Sequence, residues 1–147
     1  MNITTVSHLL PILQSSIGPV ILISGVGLLL LTLTNRFGRM LDRARQLNQE
    51  LRAGPASDKA EAIRTQIGIL MKRAGILRLS ITLGAITVLL AAVLMLLLFL
   101  GAWQQLELGG VIAVVFCVAL LCLIGSMLAF IRDMNLALKA VRLEVRL

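Results

Sequence analysis

Three stretches of this chain contain no charged side chain. Residues 17–33 are apolar apart from small residues, and residues 79–106 and 108–131 contain no Asp, Glu, Lys or Arg. A helix of about 20 apolar residues spans the roughly 30 Å of bilayer hydrocarbon. A helix is also the form in which such a stretch satisfies its own backbone in lipid. The pattern therefore predicts an all-α membrane protein with three transmembrane helices.

The polar segment between the first two spans has a helical pattern of its own. Apolar residues recur at alternating spacings of three and four along residues 37–51 and again along residues 60–81, which is the seam of coiled-coil packing. Turn residues at 53–57 separate the two series, and Asp58 with Glu61 fits a capping box at the start of the second. The segment is predicted to form an antiparallel helical hairpin.

The two terminal segments also carry apolar residues at helical spacing. Residues 1–16 predict a short interfacial helix that ends before Gly18 and Pro19. The C-terminal tail predicts a third helix that packs on the hairpin, so that the spans extend into a cytoplasmic bundle. The tail seam consists of Met127, Ile131, Met134, Leu138, Val141 and Val145.

These patterns divide a single membrane domain, residues 1–147, into seven expected segments. They are an interfacial segment outside the membrane (1–16), the first span (17–34), the hairpin (35–78), the second span (79–100), an outer turn (101–109), the third span (110–131) and a tail helix (132–147).

The distribution of positive charge predicts the orientation. Of the 14 Lys and Arg residues, ten lie in residues 35–78 and four in residues 132–147. Positive segments stay in the cytoplasm, so we expect the N-terminus outside and the C-terminus inside a bacterial inner membrane. The first of these charges is Arg36, so no positive region precedes the first apolar run. We therefore expect the mature protein to begin near Met1.

Composition narrows the possible functions. Hydrophobic residues make up 59% of the chain, mean hydropathy is +0.98, and the net charge is +7. Nucleic-acid binding is not expected, because the chain has no Tyr and one Trp with which to stack bases. No nucleophile–base pair, metal-ligand spacing or ionisable residue deep in a span occurs. We expect no enzyme activity, no cofactor and no metal, and we interpret Cys117 and Cys122 as packing residues.

Small residues recur along the first two spans at helical spacing. Such stripes let membrane helices approach closely, either within one protomer or at a subunit interface or narrow pore. Both interpretations remain open from the sequence. The candidate positions are Gly18, Gly25 and Thr32 in the first span, and Ser80, Gly84 and Thr87 in the second.

A basic row follows the first span, formed by Arg36, Arg39 and Arg43. Its ordinary role is orientation and contact with the phosphates of anionic lipid headgroups. A second hypothesis is a basic ring at the inner mouth of an oligomer, which would favour anions.

Several local motifs lie between residues 13 and 47. They are Ile-Gly-Pro at 17–19, Ile-Ser-Gly at 23–25, and the Asn-Arg and Asp-Arg pairs that begin and end residues 35–43. This segment resembles an uncharacterised bacterial membrane family, the domain-of-unknown-function family 2721. The resemblance implies a small three-span protein with a central hydrophilic hairpin, and it implies no activity.

Two classes of function fit these expectations. The first is a homo-oligomeric ring that forms an ion-conducting pore, with a preference for anions if the basic row lines its mouth. The second is a non-conducting scaffold whose cytoplasmic helices bind a partner protein or anionic lipid. Subunit mass and ion flux distinguish the two.

Overall fold

The structure, a computed structural model, describes residues 3–104 and 109–144. These residues form three α-helices: α1 (Ile3–Arg52), α2 (Ser57–Gln104) and α3 (Gly109–Glu144). The predicted all-α fold is confirmed, and the described residues contain no strand. Each helix is long and apolar enough to cross a membrane, which indicates a multi-pass membrane protein.

The first helix has no break at the start of the first span. The sequence predicts a separate helix ending before Gly18, whereas α1 runs from Ile3 through that position to Arg52. Pro19 removes only one backbone hydrogen bond, and membrane helices tolerate such a proline where neighbouring groups pack on it. Pro19 is buried, so the proline is accommodated inside α1 and does not end a helix.

The turn between α1 and α2 lies where the sequence predicts it. The backbone N–H of Ala53 donates to Gln49 and Glu50 carbonyls at 3.2 Å, and Gly54 follows with a φ of 75°. Glycine adopts this left-handed conformation without steric cost, which is why it commonly follows the last turn of a helix. At the start of α2, Asp58 accepts a hydrogen bond from the Ser57 hydroxyl at 3.1 Å.

The chain contains two compact units, each built from parts of all three helices. The first unit comprises Met1–Leu30 and Leu83–Ile124. Its buried positions are mostly small or aliphatic, as expected where membrane helices pack closely. They include Val26, Gly84, Thr87, Ala91, Leu94 and Ala119.

The second unit comprises Leu31–Thr82 and Gly125–Leu147. Its interior contains residues from both predicted hairpin seams, so those seams form the inward faces of α1 and α2 in this unit. It also contains three buried polar residues from α2 and α3. The buried residues are Leu33, Met40, Leu47, Ile63, Ala74, Leu77, Ser80, Ser126 and Asp133.

The predicted tail seam on α3 is wrong at three of its four described positions, since only Met127 is even half-buried. Ile131, Met134 and Leu138 are exposed, whereas Ser126 and Asp133 are fully buried. The inward face is set by the polar partners described below. Ile131 ends the charge-free run, where an apolar side chain needs no protein cover because the solvent is lipid. Met134 and Leu138 lie beyond that run. The side chains of residues 139–147 lie outside the described residues, and so does the centre of the predicted outer turn, 105–108.

Candidate functional site

Two serines join α2 to α3 in the second unit. The Ser80 hydroxyl donates to the Ser126 carbonyl oxygen at 2.7 Å, and the Ser126 hydroxyl donates to the Ser80 carbonyl oxygen at 2.7 Å. The two hydroxyl oxygens are 3.3 Å apart, and both side chains are fully buried. Small side chains bring the two backbones close enough for this reciprocal bonding. Ser80, a candidate pore or interface residue, therefore lies inside the protomer.

Thr87 makes a related contact in the first unit. Its hydroxyl lies 3.0 Å from the Leu83 carbonyl oxygen on its own helix and 3.4 Å from the Ala119 carbonyl oxygen on α3. Thr87 is fully buried, and Gly84 is also buried. The small-residue stripe of α2 thus packs against α3 within one protomer.

A cluster of three charges joins all three helices in the second unit. Asp133 of α3 places Oδ1 3.2 Å from Nε of Arg73 on α2. Its Oδ2 lies 3.5 Å from Nη2 of Arg36 on α1 and makes no hydrogen bond. The cluster lies just beyond the charge-free runs of the sequence. We call Arg36, Arg73 and Asp133 the charge cluster.

Burial differs sharply within the charge cluster. The Asp133 side chain is fully buried, whereas the side chains of Arg36 and Arg73 remain 23% and 17% exposed. A buried carboxylate is costly unless cations and hydrogen-bond donors compensate it, and the two guanidiniums do so here. Because Asp133 has no exposed surface and pairs with cations from α1 and α2, it is suited to holding the three helices together.

Arg36 makes further contacts that separate it from the rest of the basic row. Its guanidinium carbon lies 5.4 Å from the centroid of the Phe130 ring, within cation–π range, and its Nη1 contacts the Met134 sulfur. Arg39 and Arg43 are exposed. The candidate basic row therefore divides into one arginine that holds helices together and two that face outward.

The small-residue stripe of α1 has a different environment from the stripe of α2. Gly18, Gly25 and Thr32 are exposed, while Val26 and Leu33, each one residue further along, are buried. A Cβ atom added to Gly18 or Gly25 would meet nothing within 4 Å. We call Gly18, Gly25 and Thr32 the open face of α1, because all three are exposed in the part of the chain that the structure describes.

A spacing in the sequence of α3 indicates the inward position of Asp133, which the sequence analysis did not single out. Ala119, Ser126 and Asp133 follow one another at intervals of seven on α3, and all three are buried. That spacing marks one face of a supercoiled helix. Seven residues beyond Ser126 on this face lies Asp133, so the spacing alone would have indicated that this carboxylate faces inward. The local sequence does not identify Arg36 and Arg73 as its partners. Among the described residues, no three His, Cys, Asp or Glu side chains lie close enough to hold a metal ion.

Comparison with known proteins gives one match. The family model described as "Protein of unknown function (DUF2721)" matches residues 16–143. No curated protein and no solved structure matches the chain. The match covers nearly all of the three helices, including the charge cluster and both small-residue stripes.

Proposed function

The chain belongs to the DUF2721 family, whose function is unknown, and from that premise we propose that it is a homo-oligomeric membrane protein whose subunits meet along the open face of α1. Subunits related by rotation about an axis normal to the membrane form a closed ring. Such a ring leaves a central axis for ion conduction. Its activity would come from assembly and not from catalysis.

The observation that carries this proposal is the contrast between the two small-residue stripes. Ser80 and Thr87 of α2 are fully buried inside the protomer, whereas Gly25 and Thr32 of α1 are exposed. Membrane helices associate where small side chains let their backbones approach. The open face of α1 is a surface of this kind that is exposed among the described residues.

The same contrast changes which residues a pore could use. Fully buried Ser80 and Thr87 hydroxyls are bonded to α3 carbonyl groups, so neither is available to line a channel. We propose the N-terminus outside and residues 35–78 in the cytoplasm, where exposed Arg39 and Arg43 would favour anions at the inner mouth.

A non-conducting scaffold is the alternative. Ile69 and Met71 are 46% and 56% exposed, yet they lie in the polar half of α2, which the charge pattern assigns to the cytoplasm. Exposed apolar side chains outside the lipid favour contact with another protein. In this alternative the ring or dimer presents that surface to a partner and passes no ions.

Two glycine variants test the oligomer directly. Gly25 and Gly27 are both exposed, and a Cβ atom at either position would meet nothing within 4 Å. They point about 160° apart around the helix. In lipid nanodiscs, native mass should show an oligomer for the unmodified chain and for Gly27→Leu, and a monomer for Gly25→Leu.

Each other result has a definite meaning. A monomeric unmodified chain, or equal masses for the two leucine variants, contradicts an interface on the open face of α1. If four or more subunits are found, flux of chloride and potassium from liposomes decides between the two functions. Flux that Arg39→Glu shifts away from chloride supports a pore, and an intact ring without flux supports the scaffold.

A further inference from the structure

The third helix carries a groove outside the contacts described so far. Its volume is about 380 Å³, and the residues that line it are spaced three, one, three and one apart, which places them on one face of α3. The groove begins within the charge-free run of residues 108–131 and ends in the polar tail. It is lined by Leu128, Ile131, Arg132, Asn135 and Leu136.

We propose that this groove binds an anionic phospholipid. The phosphate meets Arg132 and Asn135, and an acyl chain lies along Leu128 and Ile131. This site is separate from the exposed arginines of α1, and it does not rest on the proposed oligomer.

The position of Arg132 favours a phosphate ligand. Arg132 is the first charged residue after the third charge-free run, so it lies at the level where lipid phosphates are found. A guanidinium binds phosphate oxygens in a forked, bidentate geometry. Asn135, one turn further along the same face, adds an amide donor. Both residues are exposed.

The apolar part of the groove fits an acyl chain. Leu128 and Ile131 are 61% and 53% exposed and lie on the membrane side of Arg132. A soluble anion would contact Arg132 and gain nothing from these side chains. A lipid uses both ends of the groove, which is why we assign the site to a phospholipid and not to a free phosphate.

The neighbouring carboxylate does not oppose an anion at this site. Asp133 is fully buried and paired with Arg36 and Arg73, and the five lining residues include no acidic side chain. The two guanidiniums offset the one carboxylate, so the nearby charge cluster leaves an excess of one positive charge. Charge complementarity therefore favours an anionic headgroup.

Lipid titration followed by native mass spectrometry tests the headgroup contact. The full chain in detergent is titrated with phosphatidylglycerol, and Arg132→Gln is compared with Arg78→Gln. Arg78 is an exposed arginine that directly precedes the second charge-free run, and the groove does not include it. We expect Arg132→Gln to weaken binding about fivefold, as for the loss of one cation at a lipid surface. Arg78→Gln should weaken binding less, and Arg132→Lys should retain part of it.

Fluorescence quenching tests the acyl-chain contact. Leu128→Trp, in a chain that also carries Trp103→Phe, should be quenched by phosphatidylglycerol with brominated acyl chains. Brominated phosphatidylglycerol should quench this fluorescence more strongly than brominated phosphatidylcholine does. Arg132→Gln should remove that difference between the two lipids.

Four results would overturn the proposal. They are equal losses for Arg132→Gln and Arg78→Gln, equal binding of phosphatidylcholine, displacement of the lipid by millimolar glycerol phosphate, and no quenching at position 128. The third would indicate a soluble-anion site, and the last would show that no acyl chain lies along Leu128.

Discussion

Asp133 combines complete burial with two cationic partners from two other helices. Replacing a whole buried group of paired charges with well-packed apolar residues is often neutral. Removing one partner alone leaves uncompensated charge. Arg36 and Arg73 would then face each other across the space that Asp133 occupies. The charge cluster thus holds the second unit together only while all three residues are present.

Asp133→Asn should therefore destabilise the protein by about 3 kcal/mol. This value is the lower end of the range for breaking a buried pair, because both arginines keep some exposure to solvent. Unfolding of the purified protein in a graded detergent or denaturant series measures the change.

Asp42→Asn is the matched control for that variant. Asp42 pairs with Arg45 at 3.7 Å, and both side chains are largely exposed. Screening by solvent makes such a pair worth little. If the two Asn variants lose equal stability, the charge cluster contributes no more than a surface ion pair does.

Ser80→Ala should cost about 1 kcal/mol, the usual value of a hydrogen bond between membrane helices. The variant removes one of two reciprocal donors between α2 and α3. Thr82→Ala is the comparison, because the exposed Thr82 hydroxyl donates to the Arg78 carbonyl oxygen of its own helix. The same unfolding series should show a smaller loss for Thr82→Ala, and equal losses would mean that the serine pair does not join the helices.

At the scale of the helices, periodicity and turn chemistry act together. The alternating spacing of apolar residues in α1 and α2 places Met40, Leu47, Ile63 and Ala74 in the interior of the second unit. The short connection reverses the chain between them, with Gly54 in a left-handed conformation. Local sequence therefore specifies both the inward face and the point of reversal.

Two glycine-to-alanine variants should change stability in opposite directions. Gly54→Ala places a Cβ atom at a φ of 75° and should cost about 1 kcal/mol. Gly68→Ala lies within α2, where a Cβ atom would meet nothing within 4 Å. Alanine should therefore stabilise that helix by up to about 1 kcal/mol. Thermal unfolding measures both, and a stabilising Gly54→Ala would contradict the role assigned to the turn.

At the scale of the whole molecule, charge and apolar surface determine how the chain meets its surroundings. All 14 basic residues lie in two segments of the chain. Only 11–22% of the most apolar window of each helix is buried within the protomer, so lipid or other subunits must cover the remainder. The large exposed apolar area is expected of a multi-pass membrane protein, and the charge distribution predicts its orientation.

Cysteine labelling tests the proposed orientation. In a chain with Cys117 and Cys122 replaced by Ser, Ala56→Cys should react with a membrane-impermeant maleimide only in inside-out vesicles. Gln14→Cys, an exposed position before the first span, should react only in intact cells. The reverse pattern would show that the positive segments lie outside the membrane.

The sequence by itself determined three helices long and apolar enough to cross a membrane, the reversal at Gly54 and the inward faces of the hairpin. Each of these depends on interactions within about one helical turn or on the need of a backbone in lipid to satisfy its own hydrogen bonds. The charge pattern also predicts the orientation without any knowledge of tertiary contacts, because the orientation depends on where Lys and Arg lie along the chain. The continuity of α1 across Gly18 and Pro19 was not predicted, because Pro19 has the same local signature whether it ends a helix or is accommodated within one.

Only the tertiary structure decided which small-residue stripe lies inside the protomer and what Asp133 contacts. The stripes of α1 and α2 have similar composition, yet Gly25 is open and Ser80 is buried. Apolar and small side chains have nearly the same free energy whether they contact lipid or protein. The hydrophobic pattern of a span therefore does not select its inward face. Polar partners from distant parts of the chain select it instead, and they did so at Asp133, where the apolar tail pattern predicted another face.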